Sequence, residues 1–179
     1  MDLSRLVLLG QTVRTTTTGF DAAGRVVSSA TGVVGLSGSA AVPEARTVYD
    51  SGTGAVTATI AVEGGVETGR ISTAYDLWGR QVTYTDTDGQ ATWTAYDAAG
   101  RVGSVADPIG TVTYTYDGAG ERRGLVTSQS MSGAGAFSAR YDAAGNIVSQ
   151  VLPGGVSQTA TFDRAGQETG LAYQGQIGG

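Results

Sequence analysis

The sequence predicts an all-β chain of meandering antiparallel hairpins, laid side by side as a strip that is open rather than closed. Three observations point there. Turn residues are abundant, with 29 glycines among 179 residues and no collagen-like period. The β-formers Thr, Val and Tyr are plentiful, at 24, 19 and 8 copies. A short motif, aromatic-Asp-x-x-Gly, recurs along most of the chain, and no window carries the i, i+3, i+4, i+7 apolar stripe of a helix.

The elements follow in chain order. Residues 1–19 read as a lead-in segment, with Arg14-Thr15-Thr16-Thr17-Thr18 its most strand-like stretch. Residues 20–167 form the repeat array, about seven units of 20–29 residues. Its copies are Phe20-Asp21-Ala22-Ala23-Gly24-Arg25, Tyr75-Asp76-Leu77-Trp78-Gly79-Arg80, Tyr96-Asp97-Ala98-Ala99-Gly100-Arg101, Tyr116-Asp117-Gly118-Ala119-Gly120-Glu121, Tyr141-Asp142-Ala143-Ala144-Gly145-Asn146 and Phe162-Asp163-Arg164-Ala165-Gly166-Gln167. A seventh, Tyr49-Asp50-Ser51-Gly52-Thr53-Gly54, is out of register. Residues 168–179 read as a C-terminal tail, fraying over Gln174–Gly179. Intervals longer than 20 or 21 residues read as loop insertions, notably 51–69 and 128–136, where a binding role could reside.

Each motif has a direct physical translation. Asp followed three positions later by Gly is the preference of a type I turn whose glycine takes the left-handed conformation of a G1 bulge. Before the turn, Thr111-Val112-Thr113-Tyr114-Thr115-Tyr116 alternates, which puts Val112, Tyr114 and Tyr116 on one face and the threonines on the other. Second turn signals separate the motifs at Asp88-Gly89, Asp107-Pro108-Ile109-Gly110 and Pro153-Gly154-Gly155. Two strands per unit gives about 14 strands. The recurring aromatics should meet ring to ring between neighbouring hairpins, and stability should be a nearest-neighbour sum.

Composition narrows the function. Leu, Ile, Val and Phe make up only 36 of 179 residues, so a thick core is not expected. There is no Cys, no His and no Lys, all 11 basic residues being Arg. This removes His- and Cys-based nucleophiles, His/Cys zinc sites, Schiff-base lysines and disulfides. Net charge is −5 with scattered arginines, which argues against nucleic acid. The most apolar run, Leu6-Val7-Leu8-Leu9, is far too short for a membrane helix, and no signal peptide is visible. No cofactor and no metal is expected. The glycine-rich stretches at Gly38, Gly52, Gly54, Gly64, Gly65, Gly133 and Gly135 lack the context of a phosphate loop.

Candidate sites each have a structural alternative. The motif aspartates could be metal ligands or an acid–base pair, yet identical copies at turn starts suit backbone N–H capping better. Asp86-Thr87-Asp88-Gly89 opens like a calcium loop but lacks the remaining ligands. Trp78 and Trp93 could be platforms for a sugar ring; packing on an adjacent hairpin is the favoured alternative. Arg25, Arg80 and Arg101 follow the motif glycine and could pair with aspartates of neighbouring units, a solvated surface ion pair worth little being the default.

The repeat, best seen in Tyr75–Arg80 and Tyr96–Arg101, resembles the YD repeats of Rhs (rearrangement hotspot) proteins, of toxin-complex C subunits and, more distantly, of teneurins. The resemblance covers about residues 20–167 and implies a strip that spirals into part of a hollow shell. In bacterial members such a shell encloses a C-terminal toxin, which implies secretion or cell-surface display and partners in the form of further YD repeats or a toxin or effector polypeptide. Asp107-Pro108-Ile109-Gly110 carries the letters of the family's D-P-x-G element but lies between repeats, so it reads as a turn and no self-cleavage is assigned. On length the chain reads as a fragment or minimal member. The expectation is a noncatalytic structural segment that encapsulates or displays another polypeptide, with a carbohydrate-binding or adhesive module as the alternative. A carboxylate glycosidase is third and would need two aspartates facing each other.

Overall fold

The computed structural model describes residues 2–8, 12–34, 42–118 and 120–175. The expected fraying over 176–179 therefore lies outside the described residues, as does Ala119 of the fifth motif. Among the described residues every regular element is a strand, and no helix is long and apolar enough to cross a membrane.

The chain divides into two units, Met1–Thr92 and Trp93–Gly179. The first holds β1 (Asp2–Leu8), β2 (Thr12–Phe20), β3 (Val26–Val34), β4 (Glu44–Tyr49), β5 (Val56–Glu63), β6 (Val66–Tyr75) and β7 (Gln81–Thr85). β8 (Ala91–Tyr96) carries the division; beyond it follow β9 (Val102–Ala106), β10 (Thr111–Gly118), β11 (Glu121–Met131), β12 (Gly135–Tyr141), β13 (Ile147–Val151), β14 (Ser157–Phe162) and β15 (Glu168–Gln174). Within each unit strands pair antiparallel with their neighbours in sequence, and no last strand returns to a first. The fold class is therefore all-β, a meander of open sheet. The stretch read as lead-in holds β1 and most of β2, and β15 lies in the stretch read as tail.

The turn chemistry sets the register. At the motif aromatic the pairing slips by one residue: Phe20 faces Val26, Tyr49 faces Val56, Tyr75 faces Gln81, Tyr96 faces Val102, Tyr141 faces Ile147 and Phe162 faces Glu168. This is the G1 bulge, and Gly24, Gly79, Gly100, Gly145 and Gly166 occupy its left-handed position with φ between 76° and 93°. Along β10 the side chains alternate exposed and half-buried as the Thr/Val/Tyr pattern predicts.

The long intervals are not loops. Residues 56–63 and 66–75 form the β5–β6 hairpin, closed at Gly64 and Gly65 with φ of 56° and 84°, a two-residue turn with both centres left-handed. Likewise 128–136 lies in the β11–β12 hairpin. The extra length is strand length, β6 having 10 residues and β11 having 11. Their polar residues on both faces hide the period of two that would reveal a strand.

Burial is as thin as the aliphatic count predicts. In the first unit Ala58, Ile60 and Val62 form a buried stripe on β5. Ile60 is flanked in register by Arg46 and Arg70, and Val62 by Glu44 and Glu67. Arg46 pairs with Glu44 and Arg70 with Glu67, both at 2.8 Å, so charged heads face water while alkyl stems line the stripe. In the second unit Ala160 is the buried apolar residue among those described.

With so little core, turn geometry should weigh heavily. Gly100→Val places a β-branched residue at φ 82° and should cost about 1–3 kcal/mol, lowering the melting temperature by several degrees. Gly32→Val, in open space on β3 with ordinary strand φ, should leave it nearly unchanged. Coincident melts of the two variants would refute the turn assignment.

Candidate functional site: the row of Tyr-Asp turns

Five motif aspartates do the same local job. In Asp21, Asp76, Asp97, Asp142 and Asp163 the Oδ1 atom accepts the backbone N–H groups of the second and fourth residues that follow, at 2.8–3.0 Å. The Asp N–H donates to the carbonyl four residues on, and the motif glycine N–H returns to the Asp carbonyl. Oδ2 then takes the side chain after the glycine: Arg25, Arg80 and Arg101 through Nε at 2.7–2.8 Å, and Asn146 through Nδ2 at 2.9 Å. Asp86 caps its own turn by the same Oδ1 scheme, and Asp107 caps a tighter one through the N–H groups of Ile109 and Gly110, which accounts for the calcium-like letters at Asp86-Thr87-Asp88-Gly89 and for the D-P-x-G sequence.

Arg25 and Arg80 thus bind the aspartate of their own turn, where pairing between units was expected. Locality decides this, because Asp-x-x-Gly-Arg brings the two side chains together across a single turn. Arg101 does both, holding Asp97 at 2.8 Å and reaching Asp117 of the next motif at 2.7 Å.

Successive hairpins are joined by a latch that sequence reasoning missed. The Arg25 guanidinium lies over the Tyr49 ring at 4.4 Å, and the Tyr49 hydroxyl donates to the Val26 carbonyl at 3.0 Å. The pattern repeats with Arg101 over Tyr116 at 4.3 Å and Tyr116 donating to the Val102 carbonyl at 2.8 Å. Tyr141 donates to Val126 at 2.6 Å. At Tyr49 and Tyr116 the ring therefore meets a guanidinium, where ring-to-ring stacking was expected. A cation over a π face, held in place by its own aspartate, is the better-oriented partner. The available signal was the Arg-Val pair following the motif glycine.

Two motifs depart from the rule. At Asp50 the turn is one residue longer: Oδ1 accepts Gly52 N–H, Thr53 N–H and the Thr53 hydroxyl, and Gly54, not Gly52, is left-handed. At the fifth motif Asp117 itself has φ 60°, and Gly124 at φ 80°, not Gly120, is the left-handed glycine. Gly124 N–H donates to Asp117 Oδ1 at 2.8 Å. The buried Glu121 carboxylate grips Arg123, whose guanidinium donates to the carbonyls of Asp142 and Ala143 in the next turn. Glu121, standing where other motifs have Arg, Asn or Gln, is the sequence mark of this wider turn.

Electrostatics follow geometry. Asp21 and Asp97 are held below the ordinary aspartate value by the N–H and guanidinium of Arg25 and Arg101, Asp117 by Arg101 and the Gly124 N–H, and Asp142 by Asn146. Asp97 and Asp117 share Arg101, and both are pushed toward the ionised form. No group of three acidic residues is placed to hold a metal among the described residues. Trp78 is 78% exposed at a hairpin tip and Trp93 is 51% exposed, so neither is packed under a neighbouring hairpin as expected. The Arg80 guanidinium lies over the Trp78 ring at 4.9 Å.

The family model described as RHS Repeat matches residues 75–108 and 96–130. No curated protein matches the chain. Among solved structures the chain is similar to TcdB2-TccC3, at 18% identity and TM-score 0.64 over 91% of this chain. It is similar also to TcdB2-TccC3 without its hypervariable C-terminal region, at 17% identity and TM-score 0.64 over 92%, and to TcdB2-TccC3-Cdc42, at 17% and 0.62 over 90%. The chain spans 9% of the length of each. These likenesses show a shared fold.

Two measurements probe the turns. Tyr116→Phe removes one hydroxyl bond and should cost about 1 kcal/mol; Arg101→Ala, which removes the stack on Tyr116 and two carboxylate contacts, should lower the melting temperature further. For acid, Asp21, Asp97, Asp117 and Asp142 titrate lower folded than unfolded, so their contribution is complete above the ordinary value of 3.8 and is lost as pH falls through the folded value. Melting temperature should be flat from neutrality to about pH 5 and fall below about pH 4. A curve flat to lower pH would show the carboxylates to be idle.

Proposed function

We propose that the chain, in which the RHS Repeat model matches residues 75–108 and 96–130, is a noncatalytic wall segment of an Rhs-type β shell built of YD-type repeats, serving to enclose or display another polypeptide. One observation supports this most: the carboxylates that could have done chemistry are spent on N–H groups and arginines within their turns, and the remaining motif atoms link one hairpin to the next. Such an array extends by repetition, as a wall must. Its partners in this reading are further YD repeats and the polypeptide they surround.

The test uses the reading frame with its natural flanks. A polypeptide encoded beside the repeats should resist protease while the array is intact and become sensitive in Arg101→Ala/Tyr116→Phe, with the array itself still folded by circular dichroism. Equal digestion of that polypeptide with and without the repeats would overturn the shell reading.

A further inference from the structure

Of the aspartates along the chain, two precede a glycine, at Asp88-Gly89 and Asp117-Gly118. In such a sequence the glycine nitrogen can attack the aspartate Cγ and close a five-membered succinimide ring. A side chain on the following residue hinders that approach, and glycine has none. Asp107-Pro108 cannot take the step at all, because proline has no N–H to give up.

The fold treats the two sites differently. Asp117 is clamped: its Oδ2 accepts from the Arg101 guanidinium at 2.7 Å and its Oδ1 from the Gly124 N–H at 2.8 Å, which together hold it below the ordinary aspartate value. Ring closure needs a carboxyl that is protonated and free to swing onto the nitrogen, so both contacts oppose it. Asp88 lies exposed in the β7–β8 turn, and its carboxylate has no partner among the described residues. Capping there falls to Asp86, whose Oδ1 accepts the Asp88 and Gln90 N–H groups at 3.0 and 2.8 Å. Gly89 sits at φ 80° with nothing crowding the place of a Cβ, and its N–H donates to the Asp86 carbonyl at 3.1 Å, a neutral bond and weaker than the charged ones on Asp117.

We propose that Asp88-Gly89 is a self-modification site, converting to an isoaspartyl linkage through a succinimide, while Asp117-Gly118 is protected by the contacts that hold its carboxylate. When the Gly89–Asp86 bond opens, the Gly89 nitrogen attacks Cγ of Asp88. The Cγ–N bond forms, the Cγ–OH bond breaks, and the amide proton and the hydroxyl depart through solvent as one water molecule. Water then reopens the ring. Addition at Cγ restores aspartate; addition at the main-chain carbonyl carbon breaks its bond to the Gly89 nitrogen, leaving Gly89 joined through Cγ and the former main-chain carbonyl as the free carboxylate. Nothing is oxidised or reduced, and water is the co-reactant. The product carries an extra methylene in the main chain between Asp86 and Gln90, which draws the Gln90 N–H away from the Asp86 carboxylate and undoes the cap. Its new carboxylate is an acceptor for enzymes that methylate isoaspartyl groups from S-adenosylmethionine. This is independent of the shell reading.

The test ages the intact chain in warm neutral buffer and compares the Asp88 and Asp117 peptides by mass spectrometry with electron-transfer fragmentation, with methyl transfer by an isoaspartyl methyltransferase as a second readout. Isoaspartate should accumulate at Asp88 at least ~10-fold faster than at Asp117, the advantage expected where charged hydrogen bonds must first be broken at the slower site. Asp88→Glu, whose longer side chain cannot close the five-membered ring, should abolish conversion at that turn. Arg101→Ala should speed conversion at Asp117, and in urea the two rates of the parent chain should converge, a comparison that needs no variant to fold. Equal rates at the two sites of the folded chain overturn the proposal, as does an Asp117 that stays slow in urea. So does an Asp88 that remains unchanged while a synthetic Thr85–Thr92 peptide converts, because the bond to the Asp86 carbonyl would then be protecting Gly89.

Discussion

The structure depends on a carboxylate that has three or four partners within five residues. A single-layer sheet cannot bury its way to stability; Ala58, Ile60, Val62 and Ala160 are the buried apolar residues among those described. What replaces burial is local order. Each Asp-capped turn prevents its hairpin from opening at the tip, satisfies N–H groups that would otherwise go unpaired, and fixes the bulge that sets register. The carboxylates of Asp21, Asp76, Asp97 and Asp142 are half-buried, and the N–H groups and side chains of their own turns offset the desolvation cost, which lets the motif be repeated without a core to house it.

Local order alone would give a string of hairpins. The Arg–Tyr latch makes it an array, because the guanidinium that closes one turn is also the surface on which the next tyrosine rests, and the tyrosine hydroxyl reads the carbonyl one residue further on. Turn and linkage share an atom group, so loosening one loosens the other. The fifth motif shows how much variation this tolerates. There the turn widens to Gly124, yet Glu121 and Arg123 rebuild a link to the next turn through the Asp142 and Ala143 carbonyls. A bond between hairpins is retained while its chemistry changes.

The turns were legible in the sequence because their chemistry is local. Asp-x-x-Gly states a backbone geometry within four residues, and β10 states its faces by alternation. What could not be read was whatever depended on a partner more than one turn away. Arg25 and Tyr49 are 24 positions apart, and nothing in either residue announces the stack. The exposure of Trp78 and Trp93 was misjudged for the same reason, since average burial of tryptophan assumes a second layer that this sheet lacks. Strand β5 and the start of β6 read as insertion in the sequence because Gly64-Gly65 and a polar β6 look like loop until the pairing partner is known.

The same constraint separates the fixed from the free positions of the motif. In the Asp21 and Asp97 motifs the Asp and the Arg after the glycine close one turn while that Arg carries the next tyrosine, so a change at the Arg is felt by two hairpins. The two positions between Asp and Gly contribute backbone only, and their side chains project from the tip. Selection can therefore place anything there at little structural cost, and most copies carry alanine or glycine. A leucine and a tryptophan at this point, fully or largely exposed and braced by Arg80, stand where the fold imposes nothing.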